Sequence, residues 1–409
     1  MKVAVRTLLM LCSGPLLVLL GGLPFILQAG QVDPRHWSWP ALMLVPVALM
    51  LTLKRGWLHA IWAGVGSFGT VLIFITLAAS SSPALSEVGW LALVVALAVM
   101  AGICLSRRTW FGGILCVGAL LSCWVARDRP LPASPSPRPE LAVISALPLF
   151  WREGEAGFGA RSDAPIITIL RQRFDVRPVD SPLAGPMRSA KALLVAQPRA
   201  LSPTELVALD DWLRKGGRLL LLADPLLRWP SPLPLGDRRR PPSISMAAPL
   251  LHHWGVRLLA PAALGEDRRI LEHGGLLTMM ASSGFALEPR ASCRLEEHGL
   301  IARCRIGRGQ AVLIADADLI DDRLWLADVA APLNPQFWTA DTPGFVIEAL
   351  GGGAMERRNW LRTMGDLVLA LRWGLLAGIG WAFLGTVILG RLWKANARVG
   401  VHLGPSMRP

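Results

Sequence analysis

"LDDWLRKGGRLLLLADP", residues Leu209 to Pro225, changes period halfway along. Leu209, Trp212 and Leu213 recur at helical spacing among charged side chains, and Gly216-Gly217 then offers a left-handed stop. The run that follows, "RLLLLADP", is apolar without alternation, as a strand covered on both faces of a parallel sheet requires. Upstream, Ser202 fits an N-cap, Pro203 the first helical position, and Glu205 completes a capping box. The segment therefore reads as helix, turn and buried strand, one unit of an α/β layer.

Neighbouring segments repeat this alternation. "LAVISAL" (141–147) reads as a buried strand, "APIITILRQRF" (164–174) as a helix, "DVRPVD" (175–180) as a short strand and "ALLVAQP" (192–198) as a third strand. A helix around "SMAAPLLHHWG" (245–255), a strand "QAVLIAD" (310–316) and a closing helix near "GFVIEALGG" (344–352) come later. Such units imply a doubly wound α/β sheet with right-handed crossovers, placed over residues 140–355. Ligands of such sheets gather beyond the carboxyl ends of the strands, which makes Gln197, Asp224, Asp316 and Asp318 the candidate edge.

Catalytic signatures are missing at those ends. The third and fourth strands run into Gln197-Pro198 and Asp224-Pro225, so no nucleophile elbow exists. His252 and His253 are adjacent and would diverge by about 100° on a helix, which does not make a shared metal site. "VLIADADLIDD" ends a strand on D-x-D, as in haloacid-dehalogenase-type phosphatases, but there the motif opens the domain and Thr or Val follows, whereas here Leu319 follows near the domain's end. A helix cap or solvated strand end accounts for these aspartates, with weak divalent-ion binding as the sharper alternative. No Walker A motif occurs, and no cofactor is indicated.

The rest of the chain is membrane-like. Of 409 residues 53% are apolar and 17% charged, and mean hydropathy is +0.45. Five apolar runs, 8–27, 39–53, 58–77, 89–105 and 110–125, precede the α/β region, and a sixth, 373–393, follows it. A span needs about 20 residues, so the second and fifth are short. Trp37, Trp39, Trp57, Trp90, Trp110, Trp124, Trp373 and Trp393 stand near run ends, as interfacial indoles do. The expected organisation is a membrane domain over 1–126, a Pro-rich linker over 127–139, the α/β domain over 140–355, a helix over 373–393 and a tail over 394–409.

Alternate loops carry the basic residues: Lys2 and Arg6, then Lys54 and Arg55, then Arg107 and Arg108. The opposite loops hold Asp33 and Arg35, Glu87, then Arg127, Asp128 and Arg129. By the positive-inside rule both termini are cytoplasmic, with Arg391, Lys394 and Arg398 in or near the tail, and the α/β domain lies outside. A cleaved signal peptide is the alternative for the first run, although "ILQAGQ" lacks a small-x-small site; the domain stays outside either way.

The net charge of +13 does not indicate nucleic acid, because the basic residues are scattered and only five are Lys. The one tight cluster, Arg238, Arg239 and Arg240, reads either as a solvated loop or as a contact for an anionic partner or lipid headgroup. In "CRLEEHGLIARC" a turn at His298-Gly299 would set Cys293 opposite Cys304. An oxidising compartment favours a bridge there, best at a non-hydrogen-bonded pair, and the register is open.

The stretches "ALLVAQPRALSPTELVALDDWLRKGGRLLLLADP" and "GRGQAVLIADADLIDD" resemble the paired signatures of auxiliary proteins of uncharacterised ABC-type transport systems, of the gliding-motility-associated type. The matching positions are Leu201, Ser202, Glu205, Leu209, Asp210, Gly216, Gly217, Asp224, Pro225, Gly309, Asp316 and Asp318, across about 140 to 350. The resemblance implies a flavodoxin-like, class I glutamine amidotransferase-like domain without the catalytic cysteine, outside the membrane and partnered with a permease and an ATPase. This chain departs from the simplest version in having about five N-terminal spans rather than one. The expected function is a non-catalytic accessory or partner-sensing subunit; the rivals are an envelope hydrolase or amidotransferase-like enzyme using the aspartates, and a purely structural anchor.

Overall fold

The structure, a computed structural model, describes residues 2–79, 82–127, 130–134, 136–151, 162–234, 236–261, 264–272, 274–354 and 358–402. Asp128 and Arg129, together with residues beyond 402, lie outside the described residues, as do the side chains of Lys2, Trp393, Lys394 and Arg398. The chain forms two compact units, residues 1–128 with 358–409, and residues 129–357.

The first unit is helical: α1 (Lys2–Ala29), α2 (Ser38–Ala41), α3 (Leu44–Arg55), α4 (Trp57–Ala78), α5 (Leu85–Ser106), α6 (Phe111–Ala126) and a C-terminal helix, Met364–His402. Within it α1, α4, α5 and the C-terminal helix are long and apolar enough to cross a bilayer. The second apolar run differs from a simple span, because Pro34–Ala41 and Leu44–Arg55 meet at a 48° bend. The fifth is the shorter apolar helix α6, of 16 residues. Trp37 corrects the interfacial reading: it is fully buried against Gly22 and donates its indole N–H to the Leu19 carbonyl at 3.4 Å. Trp39, Trp57, Trp110, Trp124 and Trp373 are exposed, as interfacial indoles would be.

One contact shows how the bundle is held. Trp62 of α4 and Trp381 of the C-terminal helix stack at 4.5 Å, and each donates its indole N–H to the other's carbonyl, at 3.0 and 2.9 Å. Each ring also lies where a Cβ would stand on a glycine of the opposite helix, 2.3 Å from the ideal position at Gly66 and at Gly385. Small residues thus admit two large rings, and an apolar medium makes the paired N–H groups costly to leave unmade.

The second unit is built on a seven-stranded sheet. Its strands are β1 (Glu140–Ser145), β2 (Asp175–Pro178), β3 (Ala192–Ala196), β4 (Arg218–Leu222), β9 (Cys293–Glu296), β10 (Ile301–Ile306) and β11 (Gly309–Ile314), in the order β2-β1-β3-β4-β11-β10-β9. β2, β1, β3, β4 and β11 pair in parallel, whereas β10 pairs antiparallel with both β11 and β9. The sheet is therefore mixed, not wholly doubly wound. Two tight connections enforce this: Gly307 (φ +58) turns β10 into β11, and residues 297–300 turn β9 into β10. Turns this short permit only antiparallel neighbours.

The opening stretch folds as its period demands. Helix α8 (Pro203–Arg214), which follows α7 (Pro165–Leu170), carries the full capping box, with Ser202 Oγ accepting from the Glu205 N–H and Glu205 Oε2 accepting from the Ser202 N–H at 2.8 Å. Gly216, at φ +114, ends it. Leu209 and Leu213 are buried, as are Leu219 to Leu222 of β4. Each such leucine contributes about 1.5–3 kcal/mol of burial. Four strands between β4 and β9 had no counterpart in the sequence reading: β5 (Val256–Leu258) pairs with β8 (Phe285–Leu287), and β6 (Glu266–Ile270) with β7 (Leu276–Met280).

Candidate functional site

Because β3, β4 and β11 are adjacent and parallel, their carboxyl ends coincide and bring together Gln197, Asp224, Asp316 and Asp318. None is more than 1% exposed. Gln197 sits at φ +42, outside the strand region. Its Oε1 accepts from the Asp224 N–H at 3.0 Å, and its Nε2 donates to the Asp224 carbonyl at 3.2 Å and the Pro242 carbonyl at 3.0 Å. The amide ties the ends of β3 and β4 to the far end of the segment 225–243.

The carboxyls are used in the same way. Asp224 accepts from the Leu226 N–H at 2.7 Å and the Ala317 N–H at 3.1 Å. Asp318 accepts from the Arg228 N–H at 2.7 Å, and Asp316 from the Leu319 N–H at 2.6 Å. Asp316 Oδ2 and Asp318 Oδ1 are buried without a hydrogen-bond partner among the described residues. Burial raises all three carboxyls above the usual carboxylate range: Asp224 upward, Asp318 to about 7, and Asp316 well above its ordinary value, with the neighbouring carboxylates adding to the rise in Asp316 and Asp318. Burial thus shifts all three toward the neutral acid while their oxygens cap backbone N–H groups. Among the described residues no cluster of three or more His, Cys, Asp or Glu is arranged to hold a metal ion.

The arginine cluster is not one open cationic patch. Arg239 pairs with Asp237 at 2.7 Å, and Arg240 donates to the Leu233 carbonyl at 2.8 Å. Arg199 donates to the carbonyls of Arg238 and Arg239, so this turn is held by its own and adjoining groups. Only the Arg238 side chain stands exposed without a partner among the described residues, and none of the three arginines is hydrogen-bonded to the edge aspartates. The two histidines diverge, His252 toward Glu288 and His253 toward Asp210, each at 3.6 Å.

Cys293 and Cys304 are joined by a disulfide at directly opposed positions. The Arg305 N–H donates to the Ser292 carbonyl, which makes Cys293–Cys304 the adjacent, non-hydrogen-bonded pair. Sequence reasoning missed a second polar group, in which Arg269 binds Asp267 at 2.8 Å and Ser282 at 3.0 Å, and Ser282 donates to Asp267. Its members come from β6 and the segment after β7, strands that the sequence reading had not placed.

A comparison with curated proteins gave no match. Among solved structures the chain is similar to an exo-β-1,4-mannosidase from Opitutaceae bacterium strain TAV5 (13% identity, 54% of this chain and 35% of that one, TM-score 0.28). It is similar also to a β-galactosidase from Bacillus circulans sp. alkalophilus (11%, 54% and 34%, TM-score 0.28) and to a cytoplasmic protein of Salmonella typhimurium LT2 (11%, 48% and 98%, TM-score 0.30). The chain spans about a third of the length of the two glycosidases, and likenesses this slight bear on neither fold nor activity. Residues 138–268 match the model of a family described as an ABC-type uncharacterized transport system. The match includes Ser202, Glu205, Gly216, Gly217, Asp224 and Pro225 and supports the coarser resemblance, to an ABC-type transport system; Gly309, Asp316 and Asp318 lie outside it.

Proposed function

We propose that this chain is a non-catalytic accessory subunit of an ABC-type transport assembly in a bacterial inner membrane, with its α/β unit periplasmic and both termini cytoplasmic. In this reading the unit has the amidotransferase-like architecture of the gliding-motility-associated type and recognises a partner or ligand, while a permease and an ATPase supply transport and energy. The family match over 138–268 and the apolar helices support it. The observation that carries it is the closed carboxyl edge. The amide of Gln197 and the carboxyls of Asp224 and Asp318 bind the chain's own segment between 224 and 242, so the place where such sheets do chemistry is occupied by structure.

A hydrolase using Asp224, Asp316 and Asp318 would have to displace that segment before substrate could touch a carboxyl less than 2% exposed. The test is purification of the tagged full chain from its native membrane in mild detergent, beside Asp224→Asn and Asp318→Asn. An ATPase and a permease in fixed ratio, retained by folded variants, is the expected outcome. Recovery of the chain alone, together with loss of function in folded Asn variants, would favour the enzyme instead.

A further inference from the structure

At one end of the helical unit a cavity of about 640 Å³ opens between α1, the α3–α4 turn and the C-terminal helix. Lys54, Arg55 and Arg391 line it, and among the described residues no Asp or Glu does. Three cations facing one space without a carboxylate are an unbalanced arrangement. Arg55 makes one long hydrogen bond, 3.4 Å, to the Val3 carbonyl, and neither Lys54 nor Arg391 has an ion-pair partner among the described residues. His59 is a second, independent sign. It is only 9% exposed and lines the same cavity; its ring interacts with the Arg55 backbone, and its Nδ1 completes no hydrogen bond among the described residues. A buried ring nitrogen without a partner costs free energy unless a ligand or water supplies one.

The remaining walls are mostly apolar, with Thr7 and Thr386 as the polar exceptions. Val3, Leu53 and Val387 line the opening and are themselves exposed, at 64%, 66% and 36%. In a helix bundle that crosses a bilayer such residues face acyl chains, so the cavity's wall carries cations beside lipid-facing side chains. Gly56, at φ +101, makes the sharp turn that sets Lys54 and Arg55 beside His59.

We propose that this cavity binds the phosphate headgroup of an anionic phospholipid, with Lys54, Arg55 and Arg391 supplying charge, His59 a ring nitrogen for hydrogen bonding, and the apolar mouth passing the acyl chains. The site needs the helices to be spans but not the accessory role, so it can fail or hold independently of that reading.

The full chain, reconstituted in nanodiscs of phosphatidylcholine with a minor fraction of phosphatidylglycerol, is extracted and its retained lipid measured by native mass spectrometry. Wild type is expected to keep one phosphatidylglycerol per chain in preference to phosphatidylcholine. Lys54→Gln/Arg55→Gln/Arg391→Gln should weaken retention by about a hundredfold, since each basic side chain near an anionic surface is worth roughly a factor of five. A second variant, Gly390→Leu, fills the cavity where an added Cβ meets nothing within 4 Å and should block the lipid while leaving the melting temperature unchanged. Equal retention by wild type and both folded variants would overturn the proposal. So would inorganic phosphate binding to lipid-free protein with no preference for phosphatidylglycerol, which would assign the cavity to a soluble anion.

Discussion

Replacing Asp318 by Asn should remove much of a pH dependence built into the α/β unit. Burial and the nearby carboxylates raise the Asp318 carboxyl from 3.8 to about 7. Below pH ~4 folded and unfolded chains both hold this proton, and the full stability is present. As pH rises toward 7 the unfolded chain releases a proton that the folded chain keeps, so stability falls; above about 7 the loss is complete. At about 1.4 kcal/mol per pH unit, the interval corresponds to at most about 4 kcal/mol. Asn keeps an oxygen to accept the Arg228 N–H, now bonded at 2.7 Å, but has no proton to lose. With a denaturant slope of roughly 2–3 kcal/mol per molar urea for a unit of this size, the variant's midpoint at pH 7.5 should exceed that of wild type by roughly 1–2 M. At pH 5 the gap should already have narrowed to roughly 0.5–0.8 M, and below pH ~4 the two should coincide. Pulse proteolysis of the full chain in detergent and urea, read on fragments of residues 129–357, gives the midpoint. Asp224 and, more strongly, Asp316 are raised in the same sense, so part of the slope survives in the variant. A wild-type midpoint that stays flat or climbs between pH 5 and 7.5, or an Asn variant that keeps the whole wild-type slope, would refute the reasoning.

Gln197→Ala leaves the buried Asp224 N–H and the Pro242 carbonyl without their partner, at a cost of about 2–4 kcal/mol; amide exchange should quicken across 225–243 and not across 203–214. Reducing the Cys293–Cys304 bridge, which closes a loop of separation 11, should cost about 2–3 kcal/mol, seen as a lower urea midpoint with dithiothreitol than without. Gly385→Ala puts a Cβ 2.3 Å from the Trp62 ring and should lower the melting temperature of the full chain in detergent, by about 1–3 kcal/mol in free energy, whereas Gly380→Ala, with open space at its Cβ, should not.

The α/β unit was legible where local signals agree. The capping box at Ser202, the glycine stop at Gly216 and the unbroken run 219–222 each dictate a conformation without help from distant residues. The coincidence of Gln197, Asp224, Asp316 and Asp318 followed as well, since parallel strands place their ends together. How those side chains are employed did not follow. Their partners are backbone groups of 226, 228, 242, 317 and 319, fixed by how one loop folds over the edge, and backbone N–H groups have no residue-specific signature. The short strands β5 to β8 escaped for another reason: runs such as "VRL" and "FAL" have too few residues to show a period. Trp37 was misread because position near the end of an apolar run does not distinguish an interfacial indole from one packed on Gly22.

Charge at the two ends of the helical unit follows different rules. Arg35 is a basic residue that runs against the proposed orientation, standing in a loop that should carry few cations. The structure gives it a specific task. Arg35 pairs at 3.4 Å with Glu87, whose side chain is 7% exposed, and its backbone N–H is capped by the buried Asp33 at 2.9 Å. A carboxylate so nearly buried is costly without a cation beside it, so the fold requires Arg35 where orientation alone would disfavour it. Lys54, Arg55 and Arg391 at the other end have no such carboxylate among the described residues. Their charge is left for something outside the chain, and an anionic leaflet is the surface that a basic, lipid-facing cavity meets first. The charge bias behind the proposed orientation and the cavity that would bind a headgroup thus share one cause, and exchanging Lys54 and Arg55 for neutral residues should weaken both together.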